Sequence, residues 1–172
     1  AGKSVQLVDP QSPDVRIEVT APANQALNVG SLIAERGHVG IYAGMIRNGG
    51  TIRANSAVLN EKGEVVLMAK QGITLDKGSV ITANGPSAGN VTVQSESGAV
   101  TVAGTIEVNS TQGSGGVISI ASGASAGNPS IASGTVAVAG TVEANALQGR
   151  GGAISIVGQQ GVSVEAGARV TA

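Results

Sequence analysis

Short alternations of aliphatic and small or polar residues recur along the chain at a fixed spacing. The runs Val39–Ile41, Val65–Leu67 and Val91–Val93 begin 26 residues apart. Ile118–Ile120 recurs as Ile154–Ile156 after 36 residues, which is the same period with ten residues inserted. Because successive side chains of a strand point to opposite faces, each alternation predicts a short, half-buried strand. The constant period predicts a repeat architecture.

Two further strands are predicted within each period. A second alternation is found at Ile73–Leu75, Val100–Val102, Val136–Val138 and Val162–Val164. A third, led by glycine, is found at Gly50–Asn55, Gly78–Asn84, Gly104–Asn109, Gly140–Asn145 and Gly167–Ala172. The glycine-rich connections are too short to hold a crossover helix, so each strand is expected to pair with the equivalent strand of the next period.

The predicted fold class is therefore all-β, a right-handed parallel β-helix of about six turns of roughly 26 residues, with three short strands per turn. Neighbouring turns would lie about 4.8 Å apart. The right hand follows from the general preference of parallel crossovers. The inward columns along the axis would contain Val39, Ile41, Ile52, Ala54, Val65, Leu67, Ile73, Leu75, Ile81, Ala83, Val91, Val93, Val100, Val102, Ile106, Val108, Ile118, Ile120, Val136, Val138, Val142, Ala144, Ile154, Ile156, Val162, Val164 and Val170.

The regular β-helix is predicted to cover residues 37–172, and residues 1–36 to form its irregular first turn or turns. Prolines interrupt the alternation in this first part, so we expect loops at Asp9–Asp14 and Ala21–Gln25. Residues 122–133 are small, polar and turn-forming, which predicts a loop inserted into the coil. Because the pattern stops in mid-repeat after Val170, the two ends of the chain are expected to be the boundaries of a fragment.

Asparagine ends the third strand in four successive turns, at Asn55, Asn84, Asn109 and Asn145. Stacked one turn apart, their side-chain amides are expected to form a hydrogen-bonded ladder along the axis, which would fix the register. Asparagine also tolerates left-handed backbone geometry, so it can bend the chain without help from a ligand. The pattern favours a structural ladder over a ligand site.

Composition excludes several classes of protein. The chain has no Cys, Trp or Phe, one Tyr and a formal net charge of -1. It is therefore neither a disulfide scaffold nor a zinc–cysteine module, and it lacks the basic stripe of a nucleic-acid binder. No apolar run reaches the about 20 residues that span a bilayer. We expect no cofactor, no metal, no nucleic-acid partner and no membrane-spanning segment.

Two sets of titratable residues are candidates for catalysis. His38 is the only histidine, and Glu35 is its nearest acidic residue in sequence, but the chain has no G-x-S-x-G nucleophile motif. Glu107 and Glu143 occupy the same position in adjacent turns, which would bring them about 5 Å apart, the separation found in retaining glycosidases. No aromatic platform for a sugar accompanies them, and outward strand residues are commonly charged. We expect the chain not to be an enzyme, and we keep a carbohydrate-active β-helix with an acidic site at Glu107 and Glu143 as the alternative.

Residues 2–59, which include GKSVQLVD and LNVGSLIAERGHVGIYAGMIRNGGTIRANSAV, resemble exoproteins of the filamentous haemagglutinin family, as does the following GEVVLMAKQGITLDKGSVITA. The second half of the chain matches that family only as a generic repeat. The resemblance implies an adhesin or related large exoprotein exported by a two-partner system, in which an outer-membrane pore passes the unfolded chain. The secretion-domain motifs NPNL and NPNGI are absent, so the chain resembles the segment that follows that domain.

The expected function is that of a structural stalk segment in a large secreted or surface-exposed bacterial adhesin or exoprotein. The stalk would project a distal binding or effector region. The expected partners are the outer-membrane secretion pore and, through other parts of the parent protein, a host or surface receptor. The expected location is secreted or at the cell surface, in association with the outer membrane. The residues leave open whether the parent is an adhesin, a cytolysin or a toxin-delivery protein.

Overall fold

The computed structural model describes residues 4–8, 16–123 and 134–172, and these residues form strands, turns and connections without a helix. Val, Ile and Thr dominate the strands because their branched side chains suit a pleated surface. The strands are β1 Ser4–Val8, β2 Arg16–Asn28, β3 Ser31–Ile33, β4 His38–Asn48, β5 Thr51–Arg53, β6 Glu64–Leu75, β7 Val80–Thr82, β8 Asn90–Ser95, β9 Val100–Val102, β10 Thr105–Glu107, β11 Val117–Ser122, β12 Thr135–Val138, β13 Thr141–Glu143, β14 Ala153–Gly158, β15 Gly161–Val164 and β16 Arg169–Thr171.

The strands wind into a parallel β-helix, which confirms the predicted fold class; the right hand stays a prediction. One side is the ladder β2-β4-β6-β8-β11-β14, a second continues it through β9, β12 and β15, and the third is a separate sheet of six strands, β3-β5-β7-β10-β13-β16. Apart from β1, every pairing is parallel and joins equivalent strands of adjacent turns. The six strands of the third side mark six turns.

Three separate strands per turn are found only in the last three turns, and the prediction is wrong for the first three. There β2, β4 and β6 each cover the first and second sides as one long strand. A register shift between Ala21 and Gln25, and another between Ala43 and Met45, bends these strands at the corner. A bulge bends a strand while its pairing continues on either side, so no connection interrupts the strand. The loop expected at Ala21–Gln25 is therefore a bulge within β2.

The beginning of the chain adds an antiparallel strand to the first turn of the coil. Strand β1 pairs antiparallel with the first half of β2, from Ser4 opposite Thr20 to Val8 opposite Arg16. The two strands thus form an antiparallel pair at the first side of the helix. The predicted loop at Asp9–Asp14 lies outside the described residues, as does the 124–133 part of the insertion predicted at 122–133. The division into residues 1–36 and 37–172 stays a prediction.

One aliphatic core runs through the coil. The inward positions from Val39 to Ala144 predicted above are all buried, and they form a single cluster with Ile17, Ala26 and Ala34 of the first turn. Val65 pairs with Val91, and Val91 with Ile118, so side chains of similar size lie above one another. In the sixth turn the inward valines are only partly covered: Val164 is 57% exposed. A core layer needs a neighbouring layer on both sides to leave water completely.

A column of glycines lies where each turn enters its first strand. The carbonyl oxygen of Gly89 accepts a hydrogen bond from Val117 N, and a Cβ built on Gly116 would lie 2.0 Å from that oxygen. Gly152 stands in the same relation to Gly116, with its Cβ 2.1 Å from the Gly116 oxygen. Because no side chain fits between turns at this corner, glycine is required by close backbone approach rather than by a left-handed conformation.

Candidate functional site

The four predicted ladder residues lie in one column, each two residues beyond the end of the third strand in turns two to five. Asn84 N donates to Asn55 Oδ1 at 2.9 Å, Asn109 N to Asn84 Oδ1 at 2.6 Å, and Asn145 N to Asn109 Oδ1 at 2.8 Å. The backbone carbonyls of Asn84, Asn109 and Asn145 accept from the residue that follows the asparagine one turn earlier, as in Ser56 N to Asn84 O. Each corner is thus held by alternating backbone and side-chain acceptors.

The contacts differ in kind from an amide-to-amide stack. The side-chain oxygen accepts from the backbone of the next turn, while two of the amide nitrogens turn towards glutamates. Asn84 Nδ2 donates to Glu107 Oε2 at 3.3 Å, and Asn145 Nδ2 donates to Glu143 Oε2 at 3.4 Å. The asparagine column and the carboxylates therefore form one polar network at this corner. That the column fixes the register stays a prediction.

A second asparagine pair escaped the sequence reasoning. Asn28 and Asn48 end β2 and β4 in register, and Asn28 Nδ2 donates to Asn48 Oδ1 at 2.8 Å. Asn48 is fully buried, and its Nδ2 donates to Gly50 O at 3.3 Å. Both residues stand two positions before a glycine, in Asn28-Val-Gly30 and Asn48-Gly-Gly50. This shared Asn-x-Gly spacing is the signal that could have revealed the pair.

Glu107 and Glu143 are brought into register on β10 and β13, in the outward column that also contains Arg53 and Thr82. Arg169 Nε lies 3.2 Å from Glu143 Oε1, and the Glu143 side chain is only 17% exposed. With the asparagine contacts above, both Glu143 oxygens and one Glu107 oxygen have partners. A carboxylate whose oxygens are held by amide and guanidinium donors is suited to anchor the corner.

His38 is paired across turns with a residue that its sequence neighbourhood does not indicate. Its Nδ1 lies 2.9 Å from Glu64 Oε2, in the register position one turn later. Glu35, the nearest acidic residue in sequence, instead places its Oε1 3.1 Å from Arg53 Nε. The carboxylate that contacts His38 is therefore that of Glu64, and Glu35, the candidate named from the sequence, pairs with Arg53 instead.

The described ranges contain no group of three or more His, Cys, Asp and Glu side chains that could hold a metal ion. The same ranges contain no helix long and apolar enough to cross a membrane. The contacts described at the third-strand corner are hydrogen bonds and charge pairs within and between turns of the coil.

Comparison with protein-family models and with curated proteins gives no match. In structure, the chain is similar to the crystal structure of the HMW1 secretion domain from Haemophilus influenzae, with a TM-score of 0.59 and 20% sequence identity. The alignment covers 100% of this chain and 56% of that chain, so this chain spans little more than half its length. At this identity the likeness concerns the fold, and it agrees with a parallel β-helix.

Proposed function

We propose that this chain is a rigid stalk segment of a large secreted or surface-exposed bacterial exoprotein of the adhesin type, which projects a distal binding or effector region. The observation that carries the proposal is the single aliphatic core, which continues from turn to turn with its side chains in register. A coil of this kind can be lengthened by further turns without a new core, because each repeat contacts only its neighbours.

Charge pairs between turns support a mechanical role. Arg36 with Glu61, Arg47 with Asp76, Arg53 with Glu35 and Arg169 with Glu143 each join two neighbouring turns. Together with the asparagine column, these pairs resist sliding of one turn over the next. Exposed ion pairs contribute little to stability because water and salt screen them, so stiffness would come mainly from the core and the backbone ladders.

The proposed export partner is an outer-membrane pore of the two-partner type, with the chain secreted or held at the cell surface. The resemblance of residues 2–59 to filamentous haemagglutinins supports this partner, and so does the fold shared with the HMW1 secretion domain. We place the chain after the part of the parent that carries the secretion motifs, because NPNL and NPNGI do not occur in it. Receptor binding would belong to other parts of the parent.

Export is tested by following the parent protein in cells with and without its pore. The expected result is parent protein outside the cell only when the pore is present, and its retention when the pore gene is deleted. A pore supplied on a plasmid should restore export. Equal amounts outside the cell in both strains would contradict the proposed partner.

The stalk role is tested separately by electron microscopy of the exported parent. The expected result is a straight rod that contains this segment. Doubling the segment in the parent should lengthen the rod by about 4.8 Å for each added turn. A flexible or globular outline, or an unchanged length, would contradict the stalk role while leaving the export route standing.

A carbohydrate-active β-helix is the second candidate, and the register of Glu107 with Glu143 favours it. Retaining glycosidases need two carboxyl groups about 5 Å apart, which is close to the spacing of adjacent parallel strands. The contacts of Arg169 and Asn145 with Glu143 weigh against this role, because a nucleophile or acid must be free to reach the sugar.

A further inference from the structure

Two asparagine–glycine pairs lie in the described coil, Asn48-Gly49 and Asn84-Gly85, and both asparagines belong to the side-chain contacts described above. An asparagine followed by glycine is the dipeptide most prone to spontaneous deamidation, because glycine leaves the following backbone nitrogen unhindered and mobile. Both pairs are therefore candidate deamidation sites, and in each the asparagine side chain makes hydrogen bonds between turns of the coil.

We infer that Asn84 and Asn48 are deamidation sites that react only when the coil is unwound. Folding into the coil protects both asparagines. In the reaction, the Gly85 backbone nitrogen attacks Asn84 Cγ, forming the N–Cγ bond. The Cγ–Nδ2 bond breaks and ammonia leaves; the Gly85 nitrogen gives its proton to solvent, and the departing nitrogen takes one from solvent. Water then opens the resulting succinimide at either carbonyl, which gives aspartate or isoaspartate.

The wound coil blocks the attack on Asn84 Cγ in two ways. Gly85 N donates to Asn109 O at 3.1 Å, so the attacking nitrogen is fixed in the ladder. Asn84 Oδ1 accepts from Asn109 N, and Asn84 Nδ2 donates to Glu107, so the amide cannot rotate to present Cγ. Local opening of the corner must therefore precede attack.

Asn48 is held in the same way on another side of the coil. Gly49 N donates to Asn28 O at 2.8 Å, the equivalent of the Gly85 contact. Asn48 Oδ1 accepts from Asn28 and its Nδ2 donates to Gly50 O. Asn48 is fully buried, whereas Asn84 is partly exposed, so Asn48 should be the better protected of the two.

The reaction would damage the corner from which it started. Aspartate at position 84 loses the amide donor and brings a second negative charge to Glu107, where a hydrogen bond now lies. Isoaspartate in addition inserts a methylene group into the backbone between Asn84 and the Gly85–Ser110 bridge. A chain that stays unwound for long would therefore lose the ability to rebuild this ladder. This inference does not depend on the proposed export or stalk role.

The experiment follows deamidation of the complete chain by peptide mass spectrometry at neutral pH, once in native buffer and once in concentrated urea. In urea, Asn84 and Asn48 should convert at similar rates, and Asn109, which occupies the same ladder but precedes Ser110, should convert far more slowly. In native buffer, conversion of Asn84 should slow by about tenfold or more, and that of Asn48 further still.

Equal rates for Asn84 in the two conditions would overturn the inference, as would conversion of Asn109 as fast as Asn84 in urea. An N84D variant provides a second measurement that does not depend on the slow chemistry. It should refold from urea to a lower melting temperature than the parent chain, and an unchanged melting temperature would contradict the proposed damage. A T101D variant, which adds the same charge at an outward strand position between Thr74 and Ala137, serves as its control.

Discussion

The side-chain oxygen of Asn109 accepts a hydrogen bond from the backbone N–H of Asn145 at 2.8 Å, although 36 residues separate them in sequence. The contact links the fourth and fifth turns at a corner where the backbone bends away from the regular ladder. A backbone N–H at such a corner needs an acceptor because leaving it unpaired inside the fold is costly. The asparagine of one turn supplies it for the next.

Removing that acceptor should weaken the coil. Asn109→Ala leaves the Asn145 N–H without its partner, so the free energy of unfolding should fall by about 1–3 kcal/mol. Asn90→Ala, at an exposed position on β8, is the matched control and should change stability by less than about 0.5 kcal/mol. Urea denaturation of the three proteins measures the difference. Equal stability of both variants would argue against the ladder.

A side chain at the glycine column should also be destabilising. In Gly116→Ala the added Cβ would meet the Gly89 oxygen, so the turns must separate, at a cost of about 1–3 kcal/mol. Gly30→Ala is the control, because nothing lies within 4 Å of the position its Cβ would take. Thermal melting should separate the two variants clearly. Similar melting temperatures would show that the turns are not in close contact at this corner.

A charge placed inside the core should unwind several turns together. Val102 is fully buried on β9, between Leu75 and Val138 of the adjacent turns. Val102→Asp would bury an unpaired carboxylate at a cost of about 3–5 kcal/mol, a large part of the about 5–15 kcal/mol of an ordinary domain. Thr101→Asp places the same charge on the outward face of the same strand. Circular dichroism should report loss of strand signal for Val102→Asp alone, and an intact spectrum would refute the stacked core.

The stabilising contribution of the Arg47–Asp76 pair should depend on salt concentration but not on pH near neutrality. The hydrogen bond and the charge of Asp76 raise the pKa of Arg47 above its ordinary value. When folding raises the pKa of a cation, the resulting stabilisation is fully present below the ordinary pKa. It is lost only as pH rises through the raised pKa of the folded state. The contribution of Arg47 is therefore constant around pH 7. Arg47→Gln should lower the melting temperature slightly in low salt and have no measurable effect in high salt. A pH-dependent difference between pH 6 and pH 9 would contradict this account.

The carbohydrate-active alternative makes a prediction opposite to that of the stalk. If Glu107 and Glu143 hydrolyse a glycan, the parent chain releases reducing ends from a polysaccharide panel, and Glu107→Gln and Glu143→Gln each abolish the release. If the residues only hold the corner, no release occurs in any of the three proteins. The variants would then differ only in melting temperature, with the larger decrease for Glu143→Gln, because it breaks the contact with Arg169.

Most of the core could be predicted from the sequence, because a two-residue alternation repeated at a constant period leaves few ways to stack. Val65, Val91 and Ile118 lie in register as their spacing predicts. The asparagine column was predicted for the same reason, since one residue type recurs at one position of the repeat. The direction of its hydrogen bonds was not, because an amide side chain can pair equally well with another amide or with a backbone N–H.

The sequence by itself determined the architecture, the period and the inward columns, because these depend on local alternation and on short connections that permit only parallel stacking. The tertiary structure decided that β1 runs antiparallel to β2 and that the first three turns bend through bulges. Those features depend on which backbone groups remain unpaired at the corners and at the first side of the coil. Such groups pair with whichever partner is close in space, and the repeat pattern of the sequence does not predict that partner.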